Sequence, residues 1–366
     1  MKPGDLRHDV APAARPAVVA RASAATRWLS GEDLTALALF VITALLIAGS
    51  GWISPGLGSW SQARAILVLS TFVMVVGFGQ QTVILTGGLD LSSPAMLTLG
   101  ATLTFSYVGG APLALVWGVP LVLLVTGAIG AVSGTFIALL RVPPFIMTLA
   151  MGIILSSALL GITGGAPQGV ASRPLVRLFT GDWLGAPPVV YLMAGLTALV
   201  VVMQRRTAFG RMLYAIGSSP AAAHIAGLPV ARVTILCYAI SGASAGFAGI
   251  LMVGFSEGAT LNSGDDILIP SVAAVVVGGT SILGGRGTYL GVVGGALLLA
   301  TFSTMISALG LGAGWRAVIY GSVILLALLT LQEDSRRLWS IRLRSMLGAA
   351  RSANVSKSSN HLGGNS

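Results

Sequence analysis

Long stretches without a charged residue divide the chain into membrane-length pieces. The longest of them, Leu91–Leu140, has no Asp, Glu, Lys or Arg in 50 residues. Because one helical crossing of a bilayer takes about 20 apolar residues, this stretch must hold two crossings, with a turn near residues 109–112. The pattern predicts about ten membrane-spanning helices. The predicted spans are Leu34–Ile53 and residues 65–86, 94–108, 113–139, 145–163, 188–203, 232–254, 268–283, 288–308 and 316–331.

The predicted fold class is an all-α polytopic membrane protein with a tail at each end. Residues 1–32 are expected to form a cytoplasmic N-terminal tail, and residues 333–366 a basic cytoplasmic tail. Between them, residues 33–332 form the transmembrane domain, with a cytoplasmic loop at 205–231. The external segment Gly164–Pro188 is rich in glycine and proline, which predicts a structured loop rather than another helix.

Composition agrees with a membrane protein. The chain is 55% hydrophobic and 9% charged, whereas roughly a quarter of the residues are charged in a soluble domain. Its 49 glycines suit membrane helices, because small residues let helix backbones approach closely. The single cysteine, Cys237, falls in a predicted span and is expected to be a small buried apolar residue.

The net charge of +10 is explained by membrane topology. When the N-terminus is placed in the cytoplasm, only four of the 21 Lys and Arg residues, Arg64, Arg173, Arg177 and Arg316, fall outside. This is the asymmetry that orients membrane helices. The chain is therefore expected to lie in a membrane with both termini cytoplasmic, and a role in nucleic-acid binding is not expected.

Motifs for ATP hydrolysis and metal catalysis are missing from the sequence. The phosphate-binding P-loop needs a lysine after a glycine, and the two lysines, Lys2 and Lys357, do not follow one. The three histidines do not form a zinc motif, so no cofactor is expected in this subunit. Asp90 is the one plausible carboxylate within the membrane. Either Asp90 couples ion movement, or the energy comes from another protein.

The connection between the second and third spans contains a candidate hinge or pathway segment. Gly87 and Gly88 allow a sharp break, and Asp90 and Ser92 could cap the next helix, with Pro94 in its first turn. A capped turn and direct lining of a pathway both fit this pattern. The run Val83–Gly88 also resembles Val275–Thr280, a faint internal echo of the kind that repeat-built transporters show.

The cytoplasmic connection near residues 207–230 predicts two short surface helices. The first ends near Gly217, and Ser218 or Ser219 caps a second helix that begins at Pro220 and closes at Gly227. Pro229 prevents its continuation. Such a pair of helices on the inner face is suited to docking into a groove of a partner, although a helix lying at the lipid interface is the alternative.

Four blocks of sequence together resemble the permeases of ATP-binding-cassette importers, and more narrowly the monosaccharide (ribose-type) permease family. They are Gly87–Ser92, Val142–Leu149, Ala273–Gly287 and Phe209–Gly227. The resemblance implies the fold of these permeases and an ATPase-coupling loop that includes Phe209, Gly210, Arg211, Ala215, Gly217, Ala221, Ala222, His224, Gly227 and Pro229. It also implies candidate path or hinge residues at Gly87, Gly88, Asp90, Ser92, Pro143, Phe145, Gly278, Gly279, Thr280, Gly284, Gly285 and Arg286.

The partners implied by the resemblance are a cytoplasmic ATPase, an external solute-binding protein, a second permease copy and the lipid bilayer. ATP hydrolysis would belong to the ATPase, so the chain itself is not expected to be an enzyme. Four external carboxylates could contact the solute-binding protein or simply be solvated: Asp182, Glu257, Asp265 and Asp266.

Two departures from the family pattern affect these expectations. Leu268 and Pro270 stand where many relatives have an acidic pair, and Pro220 replaces the glutamate that begins the coupling loop. Permeases for autoinducer-2-like compounds, polyols and nucleosides therefore remain alternatives to a sugar permease. Other classes are a secondary transporter that uses Asp90, a passive channel and an intramembrane enzyme.

Overall fold

The computed structural model describes residues 31–52 and 57–331, where regular structure is helical apart from one antiparallel bridge between Trp183 and Ala186. Both predicted tails lie outside these residues, except for the first two positions of α1. A π-helical turn (Thr104–Val108) continues α3, and a 3₁₀ turn (Asp265–Ile267) precedes α11. The α-helices are α1 (Gly31–Ser50), α2 (Trp60–Leu85), α3 (Ser93–Leu103), α4 (Ala114–Leu140), α5 (Pro144–Thr163), α6 (Arg173–Thr180), α7 (Pro188–Arg206), α8 (Ala208–Ser218), α9 (Pro220–Ile225), α10 (Val230–Ser256), α11 (Leu268–Val277), α12 (Tyr289–Ala308) and α13 (Ala313–Leu331).

Seven helices in the described part of the chain are long and apolar enough to cross a membrane: α1, α2, α4, α5, α7, α10 and α12. The prediction of an all-helical polytopic membrane protein is thus confirmed. Three of the ten predicted spans correspond to shorter apolar segments. They are α3 with its π-helical turn, α11, and the stretch Gly314–Leu326 of α13.

The eighth predicted span, residues 268–283, is longer than the helix found there. Helix α11 ends at Val277, because Gly278 and Gly279 turn the chain and Gly279 has a positive φ of 86°. Most side chains of α3 and α11 are buried, with α3 packed on α10 and α11 on α12. A break in a helix is tolerated at membrane depth where the backbone is covered by protein.

The segment Gly164–Pro188, which was predicted to be an external loop, contains a helix that the sequence did not predict. Helix α6 has Pro174 in its first turn, a position that proline favours. Leu175 is buried, and its carbonyl oxygen would lie 2.7 Å from a methyl group added at Gly254 of α10. The helix is therefore a cap over the end of α10 rather than part of a free loop.

Helix α10 lies at the centre of the bundle and packs against α2, α3 and α4. Glycines bring its backbone against that of α4. A methyl group added at Gly242 would lie 2.3 Å from the carbonyl oxygen of Thr126, and one added at Gly130 would lie 2.2 Å from that of Tyr238. This close approach is the packing mode of membrane helices that the glycine content predicted.

Candidate functional site

Two short helices follow α7, and their positions confirm the prediction from the sequence. The hydroxyl oxygens of Thr207 and Ser219 accept hydrogen bonds from the backbone N–H groups of Gly210 and Ala222, at 3.2 and 3.3 Å. These bonds cap α8 and α9. After α9 the chain turns at Gly227, whose φ is 79°. We call residues 207–229 the helical bracket.

The helical bracket has one buried face and one exposed face. Leu213, Ile216 and Ala223 are buried in a cluster with side chains of α2 and α10. On the opposite face, Ile225 is 87% exposed. Seven of the residues predicted to contact the ATPase are also exposed: Arg211, Ala215, Ala221, Ala222, His224, Gly227 and Pro229.

Backbone groups from three distant segments meet at the end of α8. The N–H of Gly285 donates a hydrogen bond to the carbonyl of Leu85, at 3.0 Å. A methyl group added at Gly217 would lie 1.8 Å from that carbonyl oxygen and 2.5 Å from the nitrogen of Gly285. We call Leu85, Gly217 and Gly285 the glycine junction. It joins the helical bracket directly to the end of α2 and to the connection between α11 and α12.

A second contact ties the bracket to the same connection. The Tyr214 hydroxyl donates a hydrogen bond of 2.7 Å to the carbonyl of Gly287. Tyr214, like Phe209 and Met212, also packs against the buried cluster. The predicted residues Gly217, Gly284 and Gly285 are thus brought together, although they come from separate blocks of sequence. Helix α8 is therefore in direct contact with the end of α2 and with the connection between α11 and α12.

The internal echo in the sequence is also an echo of backbone geometry. In Val83–Gly88 and in Val275–Thr280, the sixth residue donates a hydrogen bond to the carbonyl of the first, at 3.0 and 3.1 Å. The fifth residue of each is a glycine, with φ of 81° and 86°. Both segments therefore end their helices with the same left-handed glycine motif. The first turn directly follows Leu85 of the glycine junction, and the second begins the connection that contains Gly285.

The carboxylate of Asp90 is enclosed and fully engaged. Its Oδ1 accepts hydrogen bonds from the backbone N–H and the hydroxyl of Ser92, at 2.9 and 2.5 Å, and its Oδ2 accepts one of 2.6 Å from Ser241 on α10. Asp90 is 1% exposed. Ser92 occupies the N-cap position of α3 as expected, but its side chain makes no capping hydrogen bond, because its hydroxyl donates to Asp90 instead. This geometry favours the capped-turn interpretation of the segment.

A chain of amides crosses the bundle beside the second glycine turn. The Nε2 of Gln204 on α7 donates to the Oε1 of Gln81 on α2, at 2.9 Å, and the Nε2 of Gln81 donates to Thr280, at 3.3 Å. The Oε1 of Gln204 accepts from the backbone N–H of Tyr289, at 3.0 Å. Neither glutamine was predicted as a site residue from the sequence. The available signal was an uncharged polar side chain inside an apolar span for Gln81 and at the end of one for Gln204, a position that is costly unless the side chain has partners.

Replacing Gln204 by alanine is expected to destabilise the protein by about 1 to 3 kcal/mol, because the N–H of Tyr289 and the Oε1 of Gln81 lose their partners in a buried place. The loss is measured as a lower melting temperature in detergent, followed by size-exclusion chromatography after heating. Gln168→Ala, at an exposed glutamine, is the matched control. Equal melting temperatures for the two variants would contradict the prediction.

Several other residues predicted to line a path or form a hinge are not part of the glycine junction. Pro143 and Phe145, at the start of α5, are exposed, and so is Arg286. Gly278 is buried against the backbone of Gly291 on α12, where an added methyl group would lie 2.4 Å from its carbonyl carbon. The glycine junction therefore brings together Gly217, Gly284 and Gly285, whereas Pro143 and Phe145 take no part in it.

These features define a polytopic helical membrane protein that carries a separate two-helix bracket bound firmly to its helix ends, as expected of a transport subunit driven by a partner. The chain belongs to the family described as "Branched-chain amino acid transport system / permease component", whose model matches residues 62–328. The sequence resemblance to importer permeases is confirmed.

Several curated proteins are similar to the chain over most of its length. The ribose import permease protein RbsC of Escherichia coli (strain K12) is 33% identical over 306 residues, which is 82% of this chain and 94% of RbsC. The fructose import permease protein FrcC of Rhizobium meliloti is 34% identical, over 72% of this chain and 75% of FrcC. The galactose/methyl galactoside import permease protein MglC of Haemophilus influenzae is 32% identical, over 72% and 83%. No solved structure matches the chain significantly.

The chain is therefore a permease subunit of an ATP-binding-cassette importer. It is a multi-pass membrane protein and a transport component rather than an enzyme. ATP hydrolysis takes place in a separate ATPase subunit of the system.

Proposed function

We propose that this subunit carries a monosaccharide or a similar small polar solute across the bacterial inner membrane. The support is the set of relatives named for ribose, fructose and galactose, which align with about three quarters of the chain or more. The family description mentions branched-chain amino acids, whereas each of these three relatives is named for a sugar. The runner-up is a permease of the same type for an autoinducer-2-like compound, a polyol or a nucleoside.

The proposed membrane arrangement has about ten spans, with both termini in the cytoplasm. Helices α3 and α11 are counted as spans because their neighbours cover their short ends, as irregular backbone in a membrane requires. The charge asymmetry supports the orientation: Arg205, Arg206 and Arg211 lie at the bracket end of the bundle, and basic residues favour the cytoplasmic side. The helical bracket then faces the ATPase.

One observation carries the coupling proposal: apart from His224, the exposed face of α9 is apolar and consists of small residues around Ile225, while Ala223 on the opposite face packs against the transmembrane helices. Ile225 projects from a surface of alanines beside Gly227. An exposed apolar side chain on a rigid short helix is a suitable anchor for a groove in a partner. We therefore assign α9 as the part of the bracket that the ATPase grips.

Substitution of Ile225 by glutamate is expected to lower ATPase retention by about tenfold, because burying one unpaired charge in the interface costs at least the 1.4 kcal/mol that this factor represents. The measurement is co-purification of the ATPase with the tagged full-length permease. Ile225 makes little contact with its own chain, so folding should be unaffected.

Leu184→Glu is the matched control, since Leu184 is 98% exposed at the opposite end of the bundle. This variant should retain the ATPase like the wild type. Full retention of the ATPase by Ile225→Glu would overturn the assignment of α9. A loss that Leu184→Glu shares would show a general effect of the added charge.

We further propose a homodimer with the path at or near its interface, supplied by an external solute-binding protein. The family resemblance supports both. The four acidic residues predicted to contact the solute-binding protein, Asp182, Glu257, Asp265 and Asp266, are all exposed. Asp182 is partly neutralised by Arg64, at 3.2 Å, so the other three carry more of the available negative charge.

A further inference from the structure

A cavity of about 450 Å³ opens at the end of the bundle opposite the helical bracket. It lies among α2, α10, α11, α12 and α13, and it is lined near its mouth by the 3₁₀ turn before α11. We call it the distal cavity. Its volume falls within the range of small-molecule sites, which is about 300 to 1,000 Å³. The glycine junction and the bracket take no part in it.

One wall of the distal cavity is polar and carries charges of both signs. Ser303, Arg316, Asp266 and the buried Tyr320 all line the cavity, so hydroxyl groups lie on the same wall as one positive and one negative side chain. Thr304 adds a further hydroxyl group to this wall. No ion pair joins Arg316 to Asp266 among the described residues. Arg316 and Asp266 therefore do not pair with each other.

The facing wall is aromatic and rigid. Phe72 and Phe255 both line the cavity, with their ring centroids 5.4 Å apart in an edge-to-face arrangement. Phe179 of α6 stacks on Phe72 from behind, at 5.9 Å. Aromatic rings held in this way provide a fixed apolar surface.

We propose that the distal cavity is a receiving site for a neutral polyhydroxylated solute, an inference that rests on the proposed function. A ring or chain of hydroxyl groups can donate to Asp266, accept from Arg316 and exchange hydrogen bonds with Ser303, while its carbon–hydrogen face packs on the phenylalanines. A lipid chain would leave the charged groups without partners. A simple ion would meet charges of both signs.

The site is tested by protection of an introduced cysteine in the complete transporter, reconstituted with its ATPase. Thr304→Cys places a thiol in the cavity wall, and a small water-soluble thiol reagent is added from the outside. D-ribose, D-fructose, D-galactose and ribitol serve as the probes. For a bound probe at about ten times its Kd, the modification rate should fall about tenfold, because the free fraction of the site falls by that factor.

Two controls make the result specific. The wild type has only Cys237, which is buried, and gives the background rate. Thr180→Cys, at an exposed threonine of α6 outside the cavity, should react at the same rate with and without a probe. Adding Asp266→Asn to Thr304→Cys should weaken protection, whereas adding Glu257→Gln, which changes a carboxylate outside the cavity, should leave it unchanged.

Three outcomes would overturn the inference: protection by none of the four probes, equal protection in the Asp266→Asn and Glu257→Gln proteins, or no reaction of Thr304→Cys at all. For each variant, co-purification of the ATPase establishes that the protein is folded and binds its partner. If no probe protects Thr304→Cys but the ATPase binds normally, the cavity proposal is wrong and the proposed importer function is unaffected. Loss of ATPase binding in the wild type would instead contradict that function.

Discussion

Valine at position 217 is expected to reduce ATP-driven solute uptake by about 100-fold. The first added carbon would lie 1.8 Å from the carbonyl oxygen of Leu85, and backbone atoms on both sides prevent a side chain from moving aside. The clash can be removed only if α8 shifts away from Leu85 and Gly285. Overpacking of this kind costs about 3 kcal/mol, and a loss of that size in the coupled state corresponds to about two powers of ten.

The effect should appear in transport and not in ATPase docking, because the exposed face of α9 lies outside the glycine junction. Uptake by cells or vesicles is compared with co-purification of the ATPase for the same protein. Gly195→Val is the control: it makes the same change in α7, where nothing lies within 4 Å of an added methyl group. Normal uptake by Gly217→Val would show that the junction does not transmit the motion of the bracket.

Local sequence signals predicted the helical bracket accurately because its design is local. Ser219, Pro220 and Gly227 cap, start and stop α9 within eight residues of each other. The glycine turns at the ends of α2 and α11 are local in the same sense. Both turns could be matched from their sequences, since a left-handed residue after a helix strongly favours glycine.

Contacts between distant segments could not be predicted in this way. The partner of Asp90 on α10 is Ser241, 151 residues away, and the partner of Gln204 is Gln81, 123 residues away. A single sequence shows that each polar group needs a partner, but it does not show which one. The short length of α11 has a different origin: the apolar run continues past Val277, so a span predicted from apolar length alone passes over the local glycine turn that ends the helix.

Removal of the Asp90 carboxylate is expected to have the second largest effect. In Asp90→Ala, the backbone N–H of Ser92 and the hydroxyls of Ser92 and Ser241 all lose their acceptor in a buried place. Leaving such groups unsatisfied costs about 1 to 3 kcal/mol each, and because the two hydroxyls can rotate towards other acceptors, a total near the lower limit, about 3 kcal/mol, is expected. The yield of folded protein and its melting temperature in detergent should fall sharply, and uptake should fall with them.

Asparagine at position 90 separates a structural carboxylate from one that couples ion movement. The retained side-chain oxygen can still accept from the N–H of Ser92, and the hydroxyl of Ser241 can turn to accept from the new amide. Asp90→Asn should therefore keep most of the uptake and the melting temperature. A proton- or sodium-coupled transporter that used Asp90 as its ion site would lose all uptake with the same substitution while remaining folded. Such a result would replace the capped-turn interpretation, because the hydrogen bonds around Asp90 would then hold an ion-binding group in place rather than the start of α3.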